Sequence, residues 1–175
     1  LYEQLFQDYM RLLKEKGMVD MEDLIYLPLE LMHKFPEVKQ EAASIYRYIF
    51  VDEYQDTNEA QNRLLDAITT KDSYLCLVGD DDQAIYEWRG AQPHYIRDKA
   101  VSHEYTVLKL QKNFRSQQAI IDVANRIIQQ NKDRVAKVIV AANPAETPPY
   151  FRRFSSREEE AAFVAKTIRE LVDSK

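Results

Sequence analysis

Apolar residues in the first part of the chain recur every three or four positions. Leu5, Phe6, Tyr9, Leu12 and Leu13 fall on one helical face, and Gly17 follows as a stop. Asp20 stands where an N-cap is needed for a second periodic run, Leu24, Ile25, Leu27 and Leu31. Pro36 breaks that run, and a short helix over 37–46 is expected after it. Beyond Tyr46 the period changes. Tyr48–Val51 reads as a short buried strand. Asn58 can cap a helix reaching about Thr69, with Ala60, Leu64, Leu65 and Ile68 inward. Tyr74–Val78 reads as a second buried strand. Strand, helix, strand at this spacing predicts a βαβ unit with a parallel sheet, and so an α/β fold.

The second half is less regular. Its pattern predicts a strand over Tyr105–Leu110 and a helix from about Gln117 to Gln130, with Ser116 placed to cap it. A short strand is expected over Lys137–Ala141 and another over Tyr150–Phe154. Between them, residues 143–149 hold three of the six Pro and read as a loop. A final helix over Glu158–Val172 carries Ala161, Val164, Ala165, Ile168 and Val172. Arg157–Glu160 makes a solvated first turn that suits the helix dipole. The pattern is weakest over His94–Glu104, so the chain divides there, into residues 1–104 and 105–175.

Composition narrows the classes. The chain has 175 residues, 45% hydrophobic and 30% charged, which is ordinary for one globular domain or two small ones. A net charge of -5 offers no global basic field, though a groove needs only local positive charge. The single Cys76 excludes an intramolecular disulfide and a Cys-rich metal site, and its apolar surroundings predict inert burial. His33, His94 and His103 have no ligand spacing. No apolar run reaches the roughly 18 residues of a membrane span, and no signal peptide is visible. Three Gly leave almost no room for a Gly-rich phosphate loop. The chain starts inside one helical pattern and stops just after another, as an excised piece of a longer protein would.

Three stretches could carry chemistry. In "YIFVDEYQDTN" (Tyr48 to Asn58), a strand runs directly into Asp52 and Glu53. Ligands of α/β sheets sit at strand carboxyl ends, and neighbouring strand residues point to opposite sides. One acid can hold Mg²⁺ while the other orients a water. Taken alone, a solvated strand end with capping acids explains the pair as well. In "VGDDDQAIYEWRGA" (Val78 to Ala91), Gln83 can donate to a phosphate oxygen and accept from water. Tyr86 and Trp88 can stack on unpaired bases, and Arg89 can reach a phosphate or stack. A core Trp with a surface Arg is the plainer alternative. In "LKLQKNFRS" (Leu108 to Ser116), Phe114 and Arg115 precede a helix N-terminus, where anions are favoured. An ordinary strand-to-helix turn would look the same.

The order of these stretches is more specific than any one of them. "VDEYQDTN", "VGDDDQAIYEWRGA" and "LQKNFRS" resemble motifs II, III and IV of the UvrD/PcrA/Rep group of superfamily 1 DNA helicases. "VDMEDLIYL" (Val19 to Leu27) resembles the helical segment upstream of motif II, and the likeness covers nearly the whole chain. The resemblance implies a partial RecA-like parallel-sheet domain, the end of the first, running into the start of a second, with an ATP cleft between them. It implies that Asp52 ligates Mg²⁺, with Glu53 beside it as the base that positions water. Gln55 completes the signature and joins the nucleotide-binding set. Gln83 would sense the γ-phosphate of ATP, Phe114 would stack on adenine, and Arg115 would reach the γ-phosphate. Tyr86, Trp88 and Arg89 would contact single-stranded DNA. The group often has Tyr where Phe114 stands; Phe keeps the stacking face. Ala84 and Glu87 receive no role.

No G-x-x-x-x-G-K-[ST] occurs in these residues, and motifs V and VI are absent as well. The resemblance therefore implies a fragment, inactive alone, of a bacterial cytosolic ATP-dependent helicase. Its partners would be single-stranded DNA, duplex junctions and the remaining helicase domains, with 3′-to-5′ movement. Two alternatives stay open at this stage: a non-catalytic DNA-binding scaffold of helicase shape, and the helicase portion of a helicase–nuclease.

Overall fold

The computed structural model describes residues 1–143 and 148–174. Residues 144–147, in the expected 143–149 loop, lie outside the described residues. The described chain forms two compact units. The first comprises Leu1–Lys109 with Asn131–Ala136, and the second comprises Leu110–Gln130 with the chain from Lys137 on.

The first unit opens with α1 (Tyr2–Glu15), α2 (Asp23–Lys34) and α3 (Pro36–Ile45). Gly17 ends α1 at φ 63, a conformation that costs other residues more. Its N–H donates to Lys14 O at 3.1 Å, and Met18 N–H to Leu13 O at 2.9 Å. Asp20 and Asp23 cap each other ahead of α2. Asp23 N donates to Asp20 Oδ1 at 2.9 Å, and Asp20 N to Asp23 Oδ2 at 3.1 Å. Pro36 begins α3, where its missing N–H costs nothing.

Then β1 (Tyr48–Val51), α4 (Glu59–Ile68) and β2 (Tyr74–Leu77) form the expected βαβ unit. The strands pair in parallel, with Tyr48 opposite Tyr74 and Val51 opposite Leu77. Asn58 and Gln61 build a capping box for α4, at 2.9 and 3.0 Å. Ile49, Tyr54 and Leu65 are the core, with Val51, Leu75, Leu77 and Ile96 packed on it. The final helix of this unit, α5 (His94–Val101), occupies the stretch where the pattern was weakest. Tyr95 and Ile96 are its inward residues.

Both strands were expected to be buried; only one face of the pair is. Tyr48, Phe50 and Tyr74 are exposed, and so is Cys76, contrary to the inert burial expected of it. A period of two sends Ile49 and Val51 inward and their neighbours outward, and among the described residues no second layer covers the outer face. Instead, the Tyr48 and Tyr74 rings stack at 5.1 Å, with the Arg47 guanidinium 5.8 Å from each.

The second unit contains β3 (Lys112–Asn113), α6 (Gln118–Ile128), β4 (Val140–Ala141) and α7 (Arg157–Asp173). β3 and β4 pair in parallel. The strand expected over Tyr105–Leu110 does not form. Val107, Leu108 and Leu110 stay exposed, because pairing with β4 begins only at Gln111, whose carbonyl accepts from Val140 N. Tyr150–Phe154 is not a strand either; Arg152 instead packs its guanidinium on Phe154 and Phe163, at 5.1 and 4.3 Å. Ser116 does not cap α6. Asn113 Oδ1 accepts from Arg115 N and Ser116 N, at 2.9 and 2.8 Å, and closes the turn by itself. Ser156 caps α7 by accepting from Glu159 N at 3.2 Å. No helix among the described residues is long and apolar enough to cross a membrane.

Candidate functional site

The site grows from the carboxyl ends of β1 and β2. Backbone bonds continue past the strands: Val78 N to Val51 O at 2.8 Å, then Tyr54 N to Val78 O at 2.9 Å. Between them the chain turns sharply at Glu53, with φ 51 and ψ 41. Among the described residues it is the one non-Gly residue with positive φ. That conformation costs roughly 1–2 kcal/mol, and such strain gathers at functional sites. A 3₁₀ turn over Tyr54–Asp56 follows and fixes it, with Asp56 N on Glu53 O at 2.9 Å.

Tyr54 and Gln55 are the largest fully buried side chains of the molecule. Tyr54 O–H donates to Asn62 Oδ1 at 2.7 Å. Burial pushes the Tyr54 phenol up to about 12, with the nearby Asp66 carboxylate adding to the rise. Gln55 uses both ends of its amide. Nε2 donates to Glu53 Oε2 at 2.7 Å, and Oε1 accepts from Asp80 N at 3.0 Å. Gly79 makes room for this amide. A Cβ there would lie 2.6 Å from Gln55 Oε1, 2.7 Å from Ile96 Cδ1 and 3.2 Å from Tyr54 N.

Asp80 extends the network into the turn Asp81–Gln83. Its Oδ2 accepts from Gln83 Nε2 at 2.8 Å, and its Oδ1 from Asp82 N at 3.0 Å. A continuous hydrogen-bonded chain therefore runs Glu53–Gln55–Asp80–Gln83. Three of the predicted site residues are members, and Asp80, which composition and spacing did not single out, is the fourth.

Asp52 and Glu53 are exposed, and Asp52 Oδ1 accepts from Glu53 N at 3.0 Å. They border an open concavity that Asp56, Thr57 and Gln61 also line. Asp56 Oδ1 is buried there without a hydrogen-bond partner among the described residues. Asp52, Glu53 and Asp56 offer carboxylate oxygens, the hard donor type that suits Mg²⁺. Among the described residues, the group of three acids whose carboxylate oxygens come within 4.8 Å of one another is instead Asp80, Asp81 and Asp82, of which Asp80 is bonded to Gln83 and Asp82 to Arg134.

Trp88 and Arg89 sit on one exposed turn, Glu87–Arg89, which Tyr86 precedes and Gly90 ends at φ 90. Trp88 is 79% exposed. The Arg89 guanidinium lies 5.8 Å from the centroids of both Tyr86 and Trp88. Gln92 N–H donates to Thr57 O at 2.9 Å, and Asn58 bridges Ala91, so this loop is tied to the chain beyond the Tyr54–Asp56 turn. In the second unit, Phe114 and Arg115 project from the turn closed by Asn113. Phe114 is 79% exposed, with Lys112 Nζ 5.4 Å from its ring.

Arg134 was invisible in the pattern. It belongs to the first unit, where Nε donates to Asp82 Oδ1 at 2.7 Å and a terminal nitrogen donates to Asp82 Oδ2. The two side chains are 12% and 10% exposed. Beside it, Val135 N donates to Asp81 Oδ2 at 2.7 Å. A partner 52 positions away leaves no local signal in a sequence.

Comparison with known proteins gives this geometry a family. The model of the UvrD/REP helicase N-terminal domain matches residues 1–106, and that of the UvrD-like helicase C-terminal domain matches residues 108–175. The chain belongs to the UvrD/REP helicase family. It is 35% identical over 174 residues to an ATP-dependent DNA helicase PcrA of Leuconostoc citreum, which covers 98% of this chain and 23% of the relative. An ATP-dependent DNA helicase PcrA of Staphylococcus aureus is 35% identical over 165 residues, and one of Staphylococcus epidermidis is 34% identical over 165 residues. Each covers 94% of this chain, which spans 23% of their length.

Proposed function

We propose that this chain is part of an ATP-dependent DNA helicase that moves along single-stranded DNA, 3′ to 5′, and opens duplex ahead of it. Residues 1–104 are the later part of one RecA-like domain and residues from 105 the beginning of another. The observation that carries this reading is the hydrogen-bonded chain from Glu53 to Gln83. It joins a carboxylate able to orient water to an amide able to register a phosphate, across the ends of two parallel strands.

On this reading Glu53 accepts the proton of the attacking water as its oxygen bonds the γ-phosphorus of ATP and the bond from that phosphorus to the β–γ bridging oxygen breaks, releasing ADP and phosphate. Its left-handed backbone and the Gln55 amide fix where the carboxylate points. Gln83 alternates between Asp80 and the γ-phosphate. Because Gln83 lies on the same loop as Trp88, that exchange reaches the DNA-binding turn. Trp88 and Tyr86 stack on unpaired bases and Arg89 holds phosphate. Phe114 stacks on adenine, and Arg115 adds a fork for the γ-phosphate. Asp52 and Asp56, beside Glu53, would hold Mg²⁺, which supplies charge neutralisation for phosphoryl transfer when bound. The oxygen donor set and the unsatisfied Asp56 Oδ1 support that assignment.

In the full-length protein, Glu53→Gln should lower DNA-stimulated ATP turnover by on the order of 10²–10⁴-fold while leaving nucleotide affinity unchanged. Turnover near that of the wild type would remove Glu53 from the chemistry.

A further inference from the structure

The loop that carries Gln83 is not self-supporting. Its 3₁₀ turn is three residues long and rests on two backbone bonds, Gln83 N to Asp80 O at 2.9 Å and a long one from Ala84 N to Asp81 O at 3.4 Å, plus the Asp80 side chain. Helix α5 lies against it, and a second support comes from far along the chain. The segment Asn131–Ala136 belongs to the first unit, although the residues on either side of it belong to the second. Among the described residues it is fastened by Asp133 to Arg97 at 3.0 Å, Arg134 to Asp82, Val135 N to Asp81 Oδ2 at 2.7 Å, and Ala136 O to Lys109 Nζ at 2.8 Å. The Arg134 and Val135 contacts fall on the turn Asp81–Gln83.

The Arg134–Asp82 pair is the sheltered one. In the exposed Arg11–Glu15 pair both side chains are more than half exposed, whereas Arg134 and Asp82 are 12% and 10% exposed. The contact is bidentate, Nε on one carboxylate oxygen and a terminal nitrogen on the other. Such a fork fixes the orientation of the carboxylate as well as its distance, which a Lys ammonium cannot do.

We propose that Arg134 is a positioning residue for hydrolysis: its fork on Asp82 holds the Asp81–Gln83 turn in the shape that keeps Gln83 bonded to Asp80 and, through Gln55, aligned with Glu53. The residue acts through Asp82 and touches neither nucleotide nor DNA. The role rests on the helicase reading above.

The test uses the full-length protein, with Arg134→Ala, Arg134→Lys, Asp82→Ala and the double variant Asp82→Ala/Arg134→Ala. The readouts are kcat with single-stranded DNA, KM for ATP, and hydrogen exchange at the Asp82 and Gln83 amides. Arg134→Ala is expected to lower the stimulated kcat about 10–10²-fold, with KM for ATP within about twofold, and to speed exchange at both amides. Arg134→Lys keeps the charge and loses the fork, so it recovers only part of the rate and serves as the readout if the Ala variant does not fold. The double variant loses no more than the worse single one, because both remove the same contact.

Unchanged kcat in Arg134→Ala, full recovery in Arg134→Lys, or losses that multiply in the double variant would each overturn the proposal. A wild-type protein without DNA-stimulated hydrolysis overturns the helicase reading and this role with it. An active wild type beside an unaffected Arg134→Ala overturns this role alone.

Discussion

The residues assigned to one reaction are held in two opposite ways. Along Glu53, Gln55, Asp80 and Gln83, each residue is bonded to the next, Asp80 through its backbone N–H on one side and its carboxylate on the other, and the Gln55 amide is 1% exposed. Around Trp88 and Phe114 nothing is covered; both rings are 79% exposed. The difference follows from what each group has to meet. A carboxylate that orients water must already point the right way, because misplacement by about 1 Å costs on the order of 10² in rate. A ring that stacks on a base needs its face bare until the base arrives. Hydrogen-bonded order and exposed apolar surface are thus complementary parts of one design, and they fail differently when altered.

The largest effect is expected at the buried end. Gly79→Ala drives a methyl to within 2.6 Å of the Gln55 amide, which is held from both sides and cannot retreat. Stability should fall by about 1–3 kcal/mol, and ATP turnover should drop with it. Calorimetry and steady-state kinetics on the full-length variant check both; a silent Gly79→Ala would mean that the amide is free to move.

At the exposed end the expected result is the reverse. Trp88→Ala should weaken single-stranded DNA binding by about 1–3 kcal/mol and uncouple ATP turnover from DNA. Its unfolding free energy should stay within the scatter of surface substitutions, about 0.5 kcal/mol. Fluorescence anisotropy with a labelled oligonucleotide measures the first quantity and thermal unfolding the second. A large loss of stability with normal DNA affinity would place Trp88 in the core after all.

A smaller effect separates burial from bonding at Tyr54. Its phenol holds its proton up to about 12 in the folded chain, above the ordinary value near 10. The folded state therefore binds the proton more tightly. The stability this confers is complete below pH 10 and is lost as pH rises from 10 towards 12. Tyr54→Phe should cost about 1 kcal/mol at neutral pH, through the lost bond to Asn62. It should also remove its share of the alkaline slope. Chemical denaturation at pH 8, 10 and 11.5 distinguishes the two contributions; an unchanged slope would mean that the phenol is not shielded.

Much of the first unit could be read in advance because its signals are local. Asn58 three residues before Gln61, and apolar runs of strand length on either side of α4, specify the βαβ unit without reference to anything distant. The carboxylates at the end of β1 were readable for the same reason. What could not be read depends on partners. Tyr105–Leu110 has the composition of a strand, but a strand exists only where another chain segment accepts its bonds, and β4 meets the chain two residues later. Cys76 looked buried because its neighbours are apolar, yet whether an alternating strand is covered on both faces depends on a second layer. Asp80 and Arg134 gain their importance from contacts 25 and 52 positions away, which no periodicity records.

The central claim is that Glu53, Gln55, Asp80 and Gln83 act as one unit. The most direct measurement is a double-mutant cycle in the full-length protein, Gln55→Ala against Gln83→Ala, read as kcat of DNA-stimulated ATP hydrolysis. The two side chains do not bond each other directly; Asp80 stands between them. If the chain is a unit, either substitution breaks it, and the double variant is no slower than the slower single one, a coupling of about 1–3 kcal/mol. Losses that simply multiply would show two independent residues and contradict the account.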